Sequence, residues 1–169
     1  MKNIQILFDK FYIAAFKFLA RYSFIIISLL LLILFFHRLI LSDKTLYFRD
    51  IHRWFYPMKF FLAESLKNWE LPFWCSSYYS GAPFLSDIQS GVFYPLSILF
   101  LLLPFAKAFN YYILLHLFLA FCFFYFFIRT LGVSRRTALF TSISYCYGSY
   151  TIATINTLNN LSALIWLPA

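Results

Sequence analysis

The sequence predicts an all-α membrane fold: polytopic transmembrane helices with a long first external loop carrying amphipathic interfacial helices. Three observations predict it. Of 169 residues, 63% are hydrophobic and only 12% are charged, against roughly half and a quarter in soluble domains. Two apolar runs, YSFIIISLLLLILFFHRLIL at 22–41 and AFNYYILLHLFLAFCFFYFFI at 108–128, reach the length of about 20 residues that crosses a bilayer. The basic residues behind the net charge of +8 sit at the ends of these runs and not on one basic face, which fits membrane topology and excludes a nucleic-acid surface.

Taken in order, residues 1–21 read as a cytoplasmic amphipathic N-terminus, with Lys10, Lys17 and Arg21 between aromatic and aliphatic residues. The run is too long for a cleaved leader, and His37-Arg38 follows it where a leader would carry a small-residue cleavage site. Residues 22–41 are the first transmembrane helix. Residues 42–91 form the external loop and hold five of the six acidic residues: Asp43, Asp50, Glu64, Glu70 and Asp87. Within it MKFFLAESLKNW has apolar residues at helical spacing with a polar back, a helix along the membrane surface that could begin at Asp50. ELPFW and SGAPF are turn-rich.

The segment 92–106 is apolar but short, and Pro95 and Pro104 bound it. A full crossing there would put Arg129, Arg135 and Arg136 outside, against the rule that basic loops stay cytoplasmic. A re-entrant or half-buried helix returns them inside. The second transmembrane helix is then 108–128, a cytoplasmic loop is 129–136, and a third transmembrane helix is 137–152, softened by Thr141, Ser142, Ser144 and Ser149. Residues 153–169 start a further membrane segment, and the expectation is an N-terminal piece of a longer protein. This topology puts the N-terminus in the cytoplasm and the protein in the inner, cytoplasmic membrane as a multi-pass chain.

Candidate chemistry concentrates in FRDIHRWFYP, residues 48–57. On a helix Asp50 shares a face with Arg53 and Trp54, and an ionised carboxylate there can accept a proton or bind a cation. The guanidinium groups and Lys59 can receive a phosphate. Trp54, Tyr56, Trp69 and Trp74 offer faces to a sugar ring. The plainer readings are a solvated Asp–Arg pair and a belt of aromatic anchors. His116, within a span, is either a proton relay or a packed neutral histidine bonded to a neighbouring helix; His37 is a boundary residue. Cys75, Cys122 and Cys146 have no metal-ligand spacing. No G-x-S-x-G, HExxH or P-loop pattern occurs.

The order of FRDIHRWFYP, LKNWELPFW, SGAPFLSDIQSGVFYPL and RTLGVSRR resembles the YfhO-type bacterial integral membrane family, within the GT-C-fold membrane glycosyltransferases. The likeness runs over nearly the whole chain, through Asp50, Tyr56, Pro57, Pro72, Trp74, Gly81, Pro83, Asp87, Gln89, Gly91, Tyr94 and Pro95. Cys75-Ser76 departs from it, where the pattern carries Asn-Pro. The resemblance implies transfer of a sugar from a polyprenyl-phosphate donor to an envelope glycan or lipid acceptor on the outer side of the membrane. It implies Asp50 as general base and Asp87 as a second acidic residue orienting acceptor or a divalent metal. Arg49, Arg53 and Lys59 are then phosphate contacts, and Tyr56, Trp74 and Gln89 further substrate contacts. The rival readings are a transporter or flippase of lipid-linked glycans and a non-catalytic subunit of envelope assembly.

Overall fold

One helix organises the chain. In a computed structural model, the backbone is described for residues 2–42, 44–77 and 80–169, and the side chains from Tyr22 onward in those ranges. Asp43 and the side chains of Lys2, Lys10, Lys17 and Arg21 therefore lie outside the described residues. The chain is mostly helical with little strand. Helix α4, Phe105–Thr130, packs against α1 (Lys2–Leu41), α2 (Tyr56–Lys67), the four-residue α3 (Leu99–Leu102), α5 (Arg135–Tyr147) and α7 (Leu158–Trp166). At 26 residues it is about 39 Å long.

Its boundaries follow from local chemistry. Leu103 is extended, as a residue before proline must be, and Pro104 closes α3 and opens α4. At the far end Gly132 takes φ +78 and donates its N–H to the Arg129 carbonyl, the left-handed turn that ends many helices. Ser134 then caps α5 by accepting from the Thr137 N–H at 3.2 Å.

Helices α1 and α4 run antiparallel. Phe24 stacks on Tyr125 with ring centroids 4.4 Å apart, while at the opposite end the Asn110 amide donates to the Leu39 carbonyl at 3.1 Å and to the Lys44 carbonyl at 2.8 Å. The 42–98 region and the 129–136 turn thus lie at opposite ends of the pair. Both helices, as Tyr22–Leu41 and Phe105–Thr130, are long and apolar enough to cross a membrane, which points to membrane association. Leu29, Leu30, Ile33, Leu34 and Phe35 leave an exposed apolar face on α1, the face that lipid would cover.

Three segments depart from the sequence reading. Residues 2–41 form one helix, not an interfacial piece followed by a span, with a kink at Phe36 (φ −120, ψ 20). The apolar 92–106 stretch, read as one re-entrant or half-buried helix, is broken into a 3-10 turn at Pro95–Ile98 and the four-residue α3 before α4 begins at Phe105; as in that reading, no element confined to it is long enough to cross. The 137–152 stretch is split: α5 ends at Tyr147, Gly148 is extended, and α6 covers only Ser149–Thr154. A Cβ on Gly148 would stand 2.5 Å from the Ser144 carbonyl oxygen, so the chain can make this bend only with glycine.

The 42–98 region has a small core of its own, Met58, Leu62, Cys75 and Phe84, apart from the main cluster around α4. A two-residue ladder, Trp74–Cys75 (β1) with Ala82–Pro83 (β2), holds its edge. Gly81, at φ +108, lies under the Trp74 indole, whose ring a Cβ would meet at 2.7 Å.

Asn110 is fully buried and ties the exit of α1 to the start of α4. The isosteric Asn110→Leu leaves the Leu39 and Lys44 carbonyls without their donor, at a cost of about 1–3 kcal/mol. Thermal unfolding in neutral detergent is expected to show that loss; an unchanged midpoint would mean that the clamp is not needed.

Candidate functional site

Asp50 begins a helical stretch with an unusual first turn. Residues Ile51–Phe55 are π-helical, and the Tyr56 N–H reaches back five residues to the Ile51 carbonyl. Pro57 supplies the reason: it has no N–H to continue the ordinary four-residue pattern, so the turn widens ahead of it. Arg49 precedes this turn at φ +38, a left-handed conformation that costs energy for a residue with a Cβ. The bend swings Arg49 and Asp50 outward.

A recess of about 490 Å³ results, lined by Tyr47, Arg49, Asp50, His52 and Arg53. Ring centroids of Tyr47 and His52 are 3.9 Å apart, forming one wall. The Asp50 carboxylate is exposed, caps no helix N–H, and makes no hydrogen bond or ion pair among the described residues. The Asp50–Arg53 pair read from helical spacing is not closed; the carboxylate faces the recess with its oxygens uncommitted. Arg53 also borders a second groove of about 460 Å³ along α2, walled by Trp54, Phe60 and Phe61 with Glu64 at its end.

The other expected residues disperse. Asp87 folds back on its own turn, its carboxylate accepting from the Gln89 N–H at 2.8 Å. The Gln89 carbonyl oxygen in turn accepts from the Trp54 indole N–H at 2.5 Å. Both residues brace the 84–92 turn against the π-helical turn. Tyr56 packs edge-on to Phe105 and Phe109, at 4.8 and 5.2 Å, inside the main core. Trp74 is exposed but covers Gly81. Of the sequence-derived set, Arg49, Asp50 and Arg53 come together in one recess. Among the described residues no group of three His, Cys, Asp or Glu side chains could hold a metal ion.

Lys59 points the other way. It lies on α2, nine residues past Asp50, and is 1% exposed. Its ammonium donates to the Ser90 carbonyl at 2.7 Å and stands 5.6 Å from the centroid of the Tyr112 ring. Gly91, at φ +58, makes room: a Cβ there would be 2.9 Å from Nζ. Beside it runs a hydrogen-bonded cluster of which the sequence reading identified only the central His116. The His116 Nδ1 donates to the Tyr112 carbonyl at 2.6 Å, so in the neutral ring Nε2 is an acceptor. Tyr94 donates to Nε2 at 2.9 Å and accepts from the Trp166 indole at 3.2 Å. Ser162 lies 3.1 Å from the same nitrogen and donates to the Leu158 carbonyl at 2.8 Å. Of the two sequence readings of His116, the packed histidine bonded to a neighbouring helix is the one seen. The available signal was the set of polar residues inside apolar runs, Asn110, His116, Asn159 and Ser162.

Burial pulls the Lys59 ammonium from its ordinary 10.5 to about 8. The folded state therefore releases this proton before the unfolded chain does. Stability is lower below pH 8, where both states hold the charge and only the folded one buries it. It rises from pH 8 to 10.5 by up to roughly 3 kcal/mol. Denaturant unfolding in micelles at pH 7 and pH 10, in the wild type and in Lys59→Met, isolates this contribution: the wild type gains stability relative to the variant as pH rises. Parallel pH profiles would contradict it.

Comparisons of the chain with protein-family models, curated proteins and solved structures found no match.

Proposed function

We propose that this chain is the N-terminal part of a membrane glycosyltransferase that resembles the YfhO-type, GT-C-fold proteins. It moves a sugar from a polyprenyl-phosphate donor to an envelope acceptor on the outer side of the cytoplasmic membrane. The observation that carries the reading is Asp50: an exposed carboxylate without a partner among the described residues, in a recess edged by Arg49 and Arg53. Sugar transfer needs those two charges side by side. The carboxylate takes the acceptor hydroxyl's proton as its oxygen bonds to the anomeric carbon. The bond from that carbon to the donor phosphate breaks, its electron pair leaves with the lipid phosphate, and the guanidinium groups stabilise the departing charge.

Orientation supports this. The antiparallel α1 and α4 put the 42–98 region at one end and the Arg129, Arg135 and Arg136 turn at the other, on the side of Phe24 from which α1 continues back to its N-terminus. Basic residues in the N-terminal segment and that turn then both face the cytoplasm, and the Asp50 recess faces outward. Asp87 and Gln89 enter this reading as residues that position the loop.

Asp50→Asn in the complete protein keeps the side chain's shape and removes its basicity. Sugar transfer from a labelled polyprenyl-phosphate donor in proteoliposomes is expected to fall by roughly 10²–10⁴-fold with unchanged thermal stability. Retained transfer would rule out Asp50 as the base.

A further inference from the structure

Lys59 is a buried cation with most of its bonding capacity unused. An ammonium carries three N–H donors, and one is given to the Ser90 carbonyl. The other two have no acceptor among the described residues, and no carboxylate lines the space into which they point. That space is a cavity of about 260 Å³ between α2, the 88–94 turn, α4 and α7, bordered by Lys59, Gly91, Tyr94, Tyr112, Asn159 and Ser162. The Asn159 side-chain amide also makes no hydrogen bond among the described residues, so its two N–H donors are free. The Tyr112 hydroxyl is held only loosely, 3.3 Å from Ser162.

Removing one charge from water without a partner costs several kcal/mol, and a carbonyl and a ring face offset only part of that. What the cavity lacks is an acceptor of opposite charge. Lys59 on α2 and Asn159 on α7 border it from two sides, the ammonium a donor only and the amide able to donate through its NH2. At about 30 Å³ per water the volume is that of eight or nine waters, room for a tetrahedral oxyanion and the first atoms of the group it esterifies.

We propose that this cavity is a binding site for a phosphate-type oxyanion, separate from the Asp50 recess, with Lys59 and Asn159 as its principal donors. Lys59 thereby leaves the group of contacts that the sequence assigned to Asp50's substrate and acquires a ligand of its own. The inference does not depend on sugar transfer. The phosphate has two possible sources, a free anion or the headgroup of a lipid, because Tyr112 stands in the first turns of a helix long and apolar enough to cross a membrane.

The test is thermal unfolding of the full chain in neutral maltoside micelles, at constant ionic strength, with two probes: millimolar inorganic phosphate and micelles doped with dodecyl phosphate. A ligand that binds only the folded state raises the midpoint with concentration. Lys59→Met removes the charge without threatening the fold, since it removes an unpaired buried ion. Asn159→Asp places a carboxylate opposite Lys59 and repels an anion. In both variants the apparent affinity is expected to fall by at least about tenfold, while Asp50→Asn responds as the wild type does. Stabilisation by both probes identifies a site open to free phosphate; stabilisation by dodecyl phosphate alone identifies a headgroup site. No stabilisation by either probe, or a shift that persists in either variant, overturns the proposal.

Discussion

The two hydrogen bonds from Asn110 to the Leu39 and Lys44 carbonyls fix where everything outside the helix pair can go. A chain leaving a helix in apolar surroundings must still satisfy its last carbonyls, and water is not there to do it. Asn110 does this from α4 and so locks the end of α1 to the start of its partner. Residues 44–50 then have little freedom, and the π-helical turn at Ile51–Phe55 must begin at that edge. Two turns further along α4, His116 holds Tyr94 and Ser162 in the same way. Helix α4 is thus apolar around most of its surface yet carries, at Asn110, Tyr112 and His116, the polar groups that place the loop and α7.

This division explains the fates of the charges on the loop helix. Asp50 stands ahead of the π-helical turn and lines the outer recess, whereas Lys59, on α2, is buried and borders a different space beside α4 and α7. Arg49, Asp50 and Arg53 emerge where α2 begins and its first turn is widened, and they remain in water. Lys59 falls on the face toward α4 and is buried. For the exposed set, screening makes the mutual pairing of Asp50 and Arg53 worth at most about 1 kcal/mol, too little to hold two long side chains together. The open carboxylate follows from that small number. For Lys59 the magnitudes are reversed: desolvation dominates, and burial alone accounts for the fall of its pKa to about 8.

How much was legible in the sequence depends on whether local or distant residues decide. The second long apolar helix was read close to its observed limits, 108–128 against Phe105–Thr130, and the first to its end at Leu41, because length and hydropathy are local properties. The helix of the external loop was read for the same reason. The failures were of distance. Gly148 breaks α5 from α6 through one close approach to Ser144, which hydropathy averaging cannot register. Asp87, which the resemblance implies as a second acidic residue, closes its own turn, and Gln89, implied as a substrate contact, meets Trp54, 35 residues away; neither contact is legible in local sequence. Tyr56 carries a hydroxyl but spends its ring on Phe105 and Phe109.

The polar cluster around His116 shows what kind of signal was passed over. Each member sits inside an apolar run, where a polar side chain is expensive unless it is paired. Tyr112 and His116 are one helical turn apart, and Asn159 and Ser162 are three residues apart, so each pair shares a helix face. Two such faces on apolar helices have a strong reason to meet, because each satisfies the other's donors and acceptors. The structure brings them together, with Ser162 against both Tyr112 and His116. Asn159 is left over beside the cavity, and so is the charge of Lys59. A network that satisfies most of its polar groups and leaves a cation and an amide facing one space is a different object from a packed core. The surplus donors there define the chemistry that would complete it.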